Sequence, residues 1–277
     1  MDLPRLSTVT SADVQRFERD GYLVVRQAFA REDGLAMERR WWQELEDAHG
    51  IDPDDRSSWH QIPGDLKVAK RDPAQARMLT DRVRGVFDAL LGPGAWSPPR
   101  DWGRAIVTFP EAGDWDVPTR LWHWDNPCEP HLDRLRGLFV LSFIGSVAPG
   151  GGGTVILSGS PRLLIELRSR LSLSHGSGAS VWEGFHRSHP WLMALTGQAP
   201  SPVNRIAAFM DEETIVEGVP LRVVELTGEP GDMVFCHPVM VHCAAPNRGA
   251  RPRFMRIKTQ VLTREGRQLT AASGSGG

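Results

Sequence analysis

Apolar positions along the chain follow two periods, and the change from one to the other comes near residue 100. Before it, the spacing is mostly helical. Thr10 or Ser11, with Asp13 behind it, predicts the start of a short helix, and Gly21 suits its left-handed end. Residues 22–25 then read as a short strand. A long amphipathic helix over 31–49 places Leu35, Met37, Trp41, Trp42 and Leu45 at apolar positions and stops at Gly50. Asp72-Pro73 predicts one further helix, with proline in the first turn. It carries Met78, Leu79, Val83, Val86, Phe87 and Leu90 as far as Gly92-Pro93-Gly94.

Beyond residue 100 short β-rich runs alternate with turns, over 104–109, 120–124, 138–144, 154–157, 221–226, 233–236 and 254–261. Several short strands punctuated by glycine and proline predict an antiparallel sandwich or barrel. One more helix is expected over 161–169. The stretch from about 170 to 205 is Ser/Gly-rich and then holds Trp182, Phe185, Trp191 and Leu195; it reads as a partly helical insertion, placed to act as a lid. The expectation is a mainly β domain over 1–270, with a helical part over 1–100 packed on a β core over 100–265, and a flexible tail over 271–277.

Composition adds limits. A chain of 277 residues with 40% hydrophobic content can bury a large core. A net charge of −2 gives no basic footprint for nucleic acid, and no apolar run approaches membrane-spanning length. Three cysteines, Cys128, Cys236 and Cys243, without a close pair, argue against a disulfide framework. With no basic-then-apolar leader at the N-terminus, a cytoplasmic protein acting on a small molecule is expected. The skew to ten tryptophans against one tyrosine puts large apolar walls at its disposal.

Three pieces carry candidate chemistry. In His123-Trp124-Asp125, at the end of a strand-like run, residues i and i+2 face the same way, so an imidazole and a carboxylate can grip one metal ion. A histidine from a distant strand would complete a two-histidine, one-carboxylate face that leaves positions open and suits non-haem Fe(II). The second piece is Glu229-Pro230-Gly231-Asp232, a type II turn by its Pro-Gly pair, followed by an apolar run to His242. In the third, Pro246-Asn247 leads to Arg251 and Arg253, whose planar forks can bind both oxygens of a carboxylate.

Together these residues resemble the phytanoyl-CoA dioxygenase family of Fe(II)/2-oxoglutarate-dependent oxygenases. The opening Phe17-Glu18-Arg19-Asp20-Gly21-Tyr22-Leu23-Val24-Val25, the HxD of residues 123–125, and the Gly-rich run 151–160 are similar to its motifs. So is the block from Gly231-Asp232 to His242, with an arginine eleven residues later at position 253. The resemblance covers about 14–30 and 100–262. It implies a double-stranded β-helix, with Fe(II) held by His123, Asp125 and His242. Arg253 is implied to hold the distal carboxylate of 2-oxoglutarate, and O2 to be the other cosubstrate. The chain departs from the family at Pro161, where a histidine is usual, at Ala244, where a serine can stand, and in the long gap before His242. The expected reaction is hydroxylation of an aliphatic C–H bond; a halogenase is disfavoured because Asp125 fills the position a halide would need. A non-catalytic binding domain and a zinc hydrolase using the same three ligands are the alternatives.

Other residues compete with or extend this site. His131 and Asp133 form a second HxD, read as a surface coincidence. His237 rivals His242 but reads as a core histidine bonded to backbone. Arg251 shares strand parity with Arg253, and only the family spacing separates them. Thr108 and Thr154 are candidate hydroxyl contacts to 2-oxoglutarate. Trp122 and Trp124 are candidate substrate walls, with Trp102, Trp182 and Trp191 weaker ones. His186 and His189 read as a solvated face, Cys236 and Cys243 as small packing groups, and Lys67, Lys70 and Arg71 as a solvated cluster.

Overall fold

A computed structural model of the chain describes residues 9–62, 64–125, 135–170 and 178–263. Helix α1 (Ser11–Asp20) begins with Thr10 and Asp13 satisfying each other's backbone N–H, a capping box, and ends at Gly21 with φ 82°. Strand β1 (Tyr22–Val25) leads to α2 (Arg31–His49), which ends at left-handed Gly50. The single helix expected from residue 73 to 90 is two. A 3-10 helix (Pro73–Met78) is followed by α3 (Asp81–Leu91), because Leu79 leaves helical geometry and Thr80 caps the new start through Val83 N–H. The Thr80 hydroxyl also donates to Ala28 O at 2.6 Å, which ties that break to the loop between β1 and α2.

The β part contains β2 (Arg104–Thr108), β3 (Gly137–Phe143), β4 (Thr154–Ser158), β5 (Thr214–Val216), β6 (Val219–Glu225), β7 (Met233–Cys236), β8 (His242–Ala244) and β9 (Arg253–Leu262). Five strands form one antiparallel sheet in the order β1-β7-β3-β9-β2, and four form a second in the order β5-β6-β4-β8. The expected strand over 120–124 is absent. Its place is taken by an irregular segment whose only ladder contact among the described residues is a bridge between His123 and His242. The turn over 229–232 is as the sequence implied: Asp232 N–H bonds Glu229 O at 3.0 Å, and Gly231 takes φ 99°.

Alternation sorts the side chains into three apolar layers. Between the sheets lie Phe139, Leu141, Phe143, Ile156, Val234, Met240 and Met255. The outer face of the five-stranded sheet packs Val140, Phe235 and Phe254 against Met37, Trp41, Leu45 and Phe87 of the N-terminal helices. The outer face of the four-stranded sheet packs Val155 and Leu157 against α4 (Ser160–Arg170), α5 (Gly178–His186) and α6 (Pro190–Leu195). A π-helical turn (Ala207–Asp211), unforeseen from the sequence, closes this side. Two facing antiparallel sheets with helices outside both make a double-stranded β-helix. Among the described residues no helix is long and apolar enough to cross a membrane.

Candidate metal centre

His242 is placed by β8. It lies opposite Ile156 of β4, so its ring points into the space between the sheets, 4.8 Å from the ring of Phe139. Its backbone N–H donates to His123 O and its carbonyl accepts from His123 N–H, at 2.8 and 3.0 Å. This exchange joins the irregular segment before Asp125 to the barrel. It brings Nε2 of His123 to 3.6 Å from Asp125 Oδ1, and Nε2 of His242 to 3.6 Å from Asp125 Oδ2. One ligand atom from each of the three lies within 4.8 Å of the others.

The orientation of both rings fits a metal ion. His123 Nδ1 sits 2.7 Å from Leu121 O, and His242 Nδ1 sits 3.0 Å from Met240 O. A carbonyl can only accept, so each Nδ1 carries the hydrogen and each Nε2 offers its lone pair to the shared centre. Metal-bound histidines are typically fixed in this way. Two neutral imidazoles and a carboxylate on one face are the donor set for Fe(II), and also for Zn(II). Without a metal the charges respond to each other. Asp125 beside it raises the pKa of His123, and His123 lowers that of Asp125. Burial lowers that of His242.

Leu121 has φ 65°, a conformation that costs an L-residue roughly 1 kcal/mol or more. The segment around it is pinned by several bonds. Cys243 Sγ donates to Arg120 O at 3.0 Å, and Trp122 Nε1 to Pro118 O at 2.8 Å. Arg205, buried, donates to Val117 O, Pro118 O, Ala194 O and Leu195 O and to Ser201 Oγ.

Arg253 and Arg251, alike by parity, part company in the structure. Arg251 is exposed before β9 begins, whereas Arg253 is buried within it. Arg253 lies opposite Thr108 of β2; Nη2 donates to Thr108 Oγ1 at 2.7 Å and Nη1 to Gly152 O at 2.6 Å, while Nε has no partner among the described residues. Among the described residues no carboxylate reaches Arg253, and burial pushes its pKa down to about 10. Gly152 takes φ 79°, and a side chain there would collide with Asn247. Asn247, fully buried, bonds Thr108 O and Arg251 O and so ties β2 to the start of β9. Thr154 lies opposite Ala244 on the same face as His242, buried between the sheets.

The tryptophans scatter. Trp124 meets Trp182 of α5 edge-on at 5.0 Å, and both rings pack near Phe185. Trp122 is buried in the outer layer beside the four-stranded sheet. Trp102 is not brought to this end: it is buried among the N-terminal helices, bonded through its N–H groups to Gln75. Trp191 bonds Ala208 O. His186 and His189 do not form a solvated face. His186 is 4% exposed, against Trp182 and Glu183, and His189 caps α6 by accepting from Trp191 N–H. His237 is a backbone-bonded histidine: its N–H donates to Gly21 O and its Nδ1 accepts from Val239 N–H. Lys67 and Arg71 line a surface cavity of about 270 Å³ with Arg40, which is held by Asp72. His131 and Asp133 lie outside the described residues. Sequence reasoning passed over the carbonyls of Leu121 and Met240, the ring of Phe139 and the clamp at Arg205. Only the spacing of carbonyls two residues before each ligand could have signalled any of these.

No protein-family model matches the chain, and no curated protein matches it in sequence. Solved structures do resemble it in fold. EctD from S. alaskensis, crystallised with 2-oxoglutarate and 5-hydroxyectoine, superposes with a TM-score of 0.51 at 17% identity, covering 92% of this chain and 78% of that one. The non-heme alpha-ketoglutarate-dependent carbocyclase SnoK from nogalamycin biosynthesis gives 0.50 at 15% identity, covering 91% and 84%. The epimerase SnoN in complex with Fe3+, alpha-ketoglutarate and nogalamycin RO gives 0.50 at 16%, covering 89% and 80%. At this level of identity the shared property is the double-stranded β-helix.

Proposed function

We propose that this chain is an Fe(II)- and 2-oxoglutarate-dependent oxygenase, similar to the phytanoyl-CoA dioxygenases, that hydroxylates an aliphatic C–H bond of a small molecule. The observation that carries this reading is the pairing of two features in one barrel. Two imidazole Nε2 atoms and a carboxylate converge within 4.8 Å, and a buried arginine stands between the same sheets with no carboxylate partner among the described residues. A zinc hydrolase needs the first feature and has no use for the second. Iron with 2-oxoglutarate and O2 supplies the oxidation of an unactivated C–H bond, with succinate and CO2 released.

The chain's own residues do the rest. Arg253 pairs through its fork with the distal carboxylate of 2-oxoglutarate, and Thr108 beside it orients the guanidinium. The apolar layer of Phe139, Met240 and Met255 keeps water from the open positions and strengthens each charge interaction there. Trp124 and Trp182 back the ligand segment and offer apolar surface towards a substrate. Among the similar folds are an epimerase and a carbocyclase, so the fate of the activated carbon rests on substrate placement.

The test is succinate formation from 2-oxoglutarate after anaerobic Fe(II) loading and aeration. Iron-dependent succinate that disappears in His242→Ala supports the reading. No succinate, together with no 2-oxoglutarate binding to metal-loaded protein, overturns it in favour of a binding domain.

A further inference from the structure

Three non-glycine residues among those described have positive φ: Gln27, Leu121 and Glu217. Glu217 precedes Gly218 in the turn between β5 and β6, and Gln27 is held by a bond from its N–H to Asp232. Both are polar residues in turns, where left-handed backbone is unremarkable. Leu121 is apolar and 80% exposed, so no packing of its side chain explains its conformation. It also stands two residues before His123.

The carbonyl shows what the conformation achieves. Leu121 O lies 2.7 Å from His123 Nδ1. Met240 O holds the equivalent place beside His242, but there the backbone is ordinary. Met240 is buried and its N–H closes a turn onto His237 O. His123, with a side chain 51% exposed and no buried turn ahead of it, depends on the local path of the chain.

We propose that Leu121 is a positioning residue of the metal centre: its left-handed backbone aims its carbonyl at His123 Nδ1, which presents Nε2 to the ion, and its side chain takes no part. This rests on the metal-binding reading above. It makes the tolerance of position 121 a matter of φ alone. Glycine and asparagine enter the left-handed region easily. Valine does so badly, and proline, fixed near a φ of about −65°, not at all.

The experiment titrates Co(II), whose visible absorption reports coordination, into wild type, Leu121→Gly, Leu121→Asn, Leu121→Val and Leu121→Pro. The melting temperature of each metal-free protein and the His123 ring tautomer by nitrogen NMR are recorded alongside. Glycine and asparagine are expected to bind Co(II) at least as tightly as wild type. Valine and proline should bind roughly 10-fold or more weakly, as loss of a ligand's outer partner does, with the Nδ1–H tautomer no longer fixed. Should valine and proline fail to fold, asparagine decides: it enters the left-handed region more readily than leucine, so it should then bind Co(II) more tightly than wild type, and equal affinity overturns the assignment. Affinity that follows side-chain apolarity, with glycine and asparagine weak, overturns the assignment, as does a flat series. Wild-type protein that takes up no Co(II) overturns the metal reading with it.

Discussion

His242 and His123 face one centre, yet they are supported in different ways. His242 grows from a strand: its side chain is 8% exposed, its ring lies against Phe139, and its neighbour Cys243 is buried so deeply that its thiol is pushed up to about 11. His123 sits on a segment without ladder pairing beyond one bridge, half exposed, after a residue in left-handed geometry. Arg253 belongs with the first half, embedded in β9 and facing inward. One half of the centre is therefore an outcome of barrel formation and stands ready before any ion binds. The other is pinned to it at a few points, so it is the half that an ion or substrate can still adjust.

Replacing the histidines would break this contrast if it is wrong. Both His242→Ala and His123→Ala should abolish Co(II) binding in a visible titration. Only His242→Ala should also weaken the metal-free fold, by roughly 2 kcal/mol for the cavity left against Phe139, while His123→Ala stays within about 0.5 kcal/mol in urea unfolding. Equal losses at both sites would mean the two halves are equally part of the core.

Arg253→Met sharpens the description of the barrel half. In wild type, 2-oxoglutarate at about 100 times its Kd should stabilise the metal-loaded protein by about 2.7 kcal/mol, visible as a rise in Tm. The variant should lose that rise, with affinity down at least about 100-fold, as removal of one partner of a buried charge pair implies. The metal-free variant should be no less stable than wild type, because the charge it removes is buried without a counter-ion among the described residues. A less stable metal-free variant would point to a structural task for the guanidinium.

Acid should divide the halves more gently. Burial pushes His237 down to about 4 and also lowers His242. Since the unfolded chain takes up protons first, their contribution to stability is lost as pH falls from about 6.5. His123 is raised by Asp125, so its contribution is present below about pH 6.5 and lost as pH rises through its folded value. Its exposure keeps that contribution small. Metal-free His237→Gln should therefore lose less stability than wild type between about pH 6.5 and 4.5, and His123→Gln slightly more, in unfolding curves across that range. Indistinguishable curves would remove the electrostatic side of the contrast.

How much of this the sequence carried depends on whether local or distant contacts decided each element. The capping box at Thr10 and Asp13, the turn at Pro230-Gly231 and the run over 233–236 are locally determined, and each stands where the pattern put it. The break between the 3-10 helix and α3 was hidden, because it depends on Ala28, which is 52 positions away. The short strands β5 and β8 were hidden too, one lying before a tight turn and the other absorbed into a long apolar run. His123 and Asp125 do converge, but the strand pleat used to argue it is absent; a carbonyl bond and a bridge to His242 replace it. His186 looked solvated because nothing in the sequence shows that α5 folds onto Trp124. Trp102 went elsewhere because Gln75 offers both of its N–H groups a partner.

The guanidinium of Arg205 gives every one of its nitrogens to acceptors on two stretches that are distant in sequence, the carbonyls of Val117 and Pro118 on one side and those ending α6 on the other. A rivet of this kind constrains exchange of parts between related barrels. The stretch from α6 to Arg205 cannot be transplanted, shortened or swapped as a cassette unless residue 205 and its acceptors travel with it, for otherwise four carbonyls and a cation are left dry. Variation in the helices packed beside Trp124 is therefore expected to come in blocks, with the arginine and the 117–118 acceptors inherited together, while the helix faces between them are free to drift.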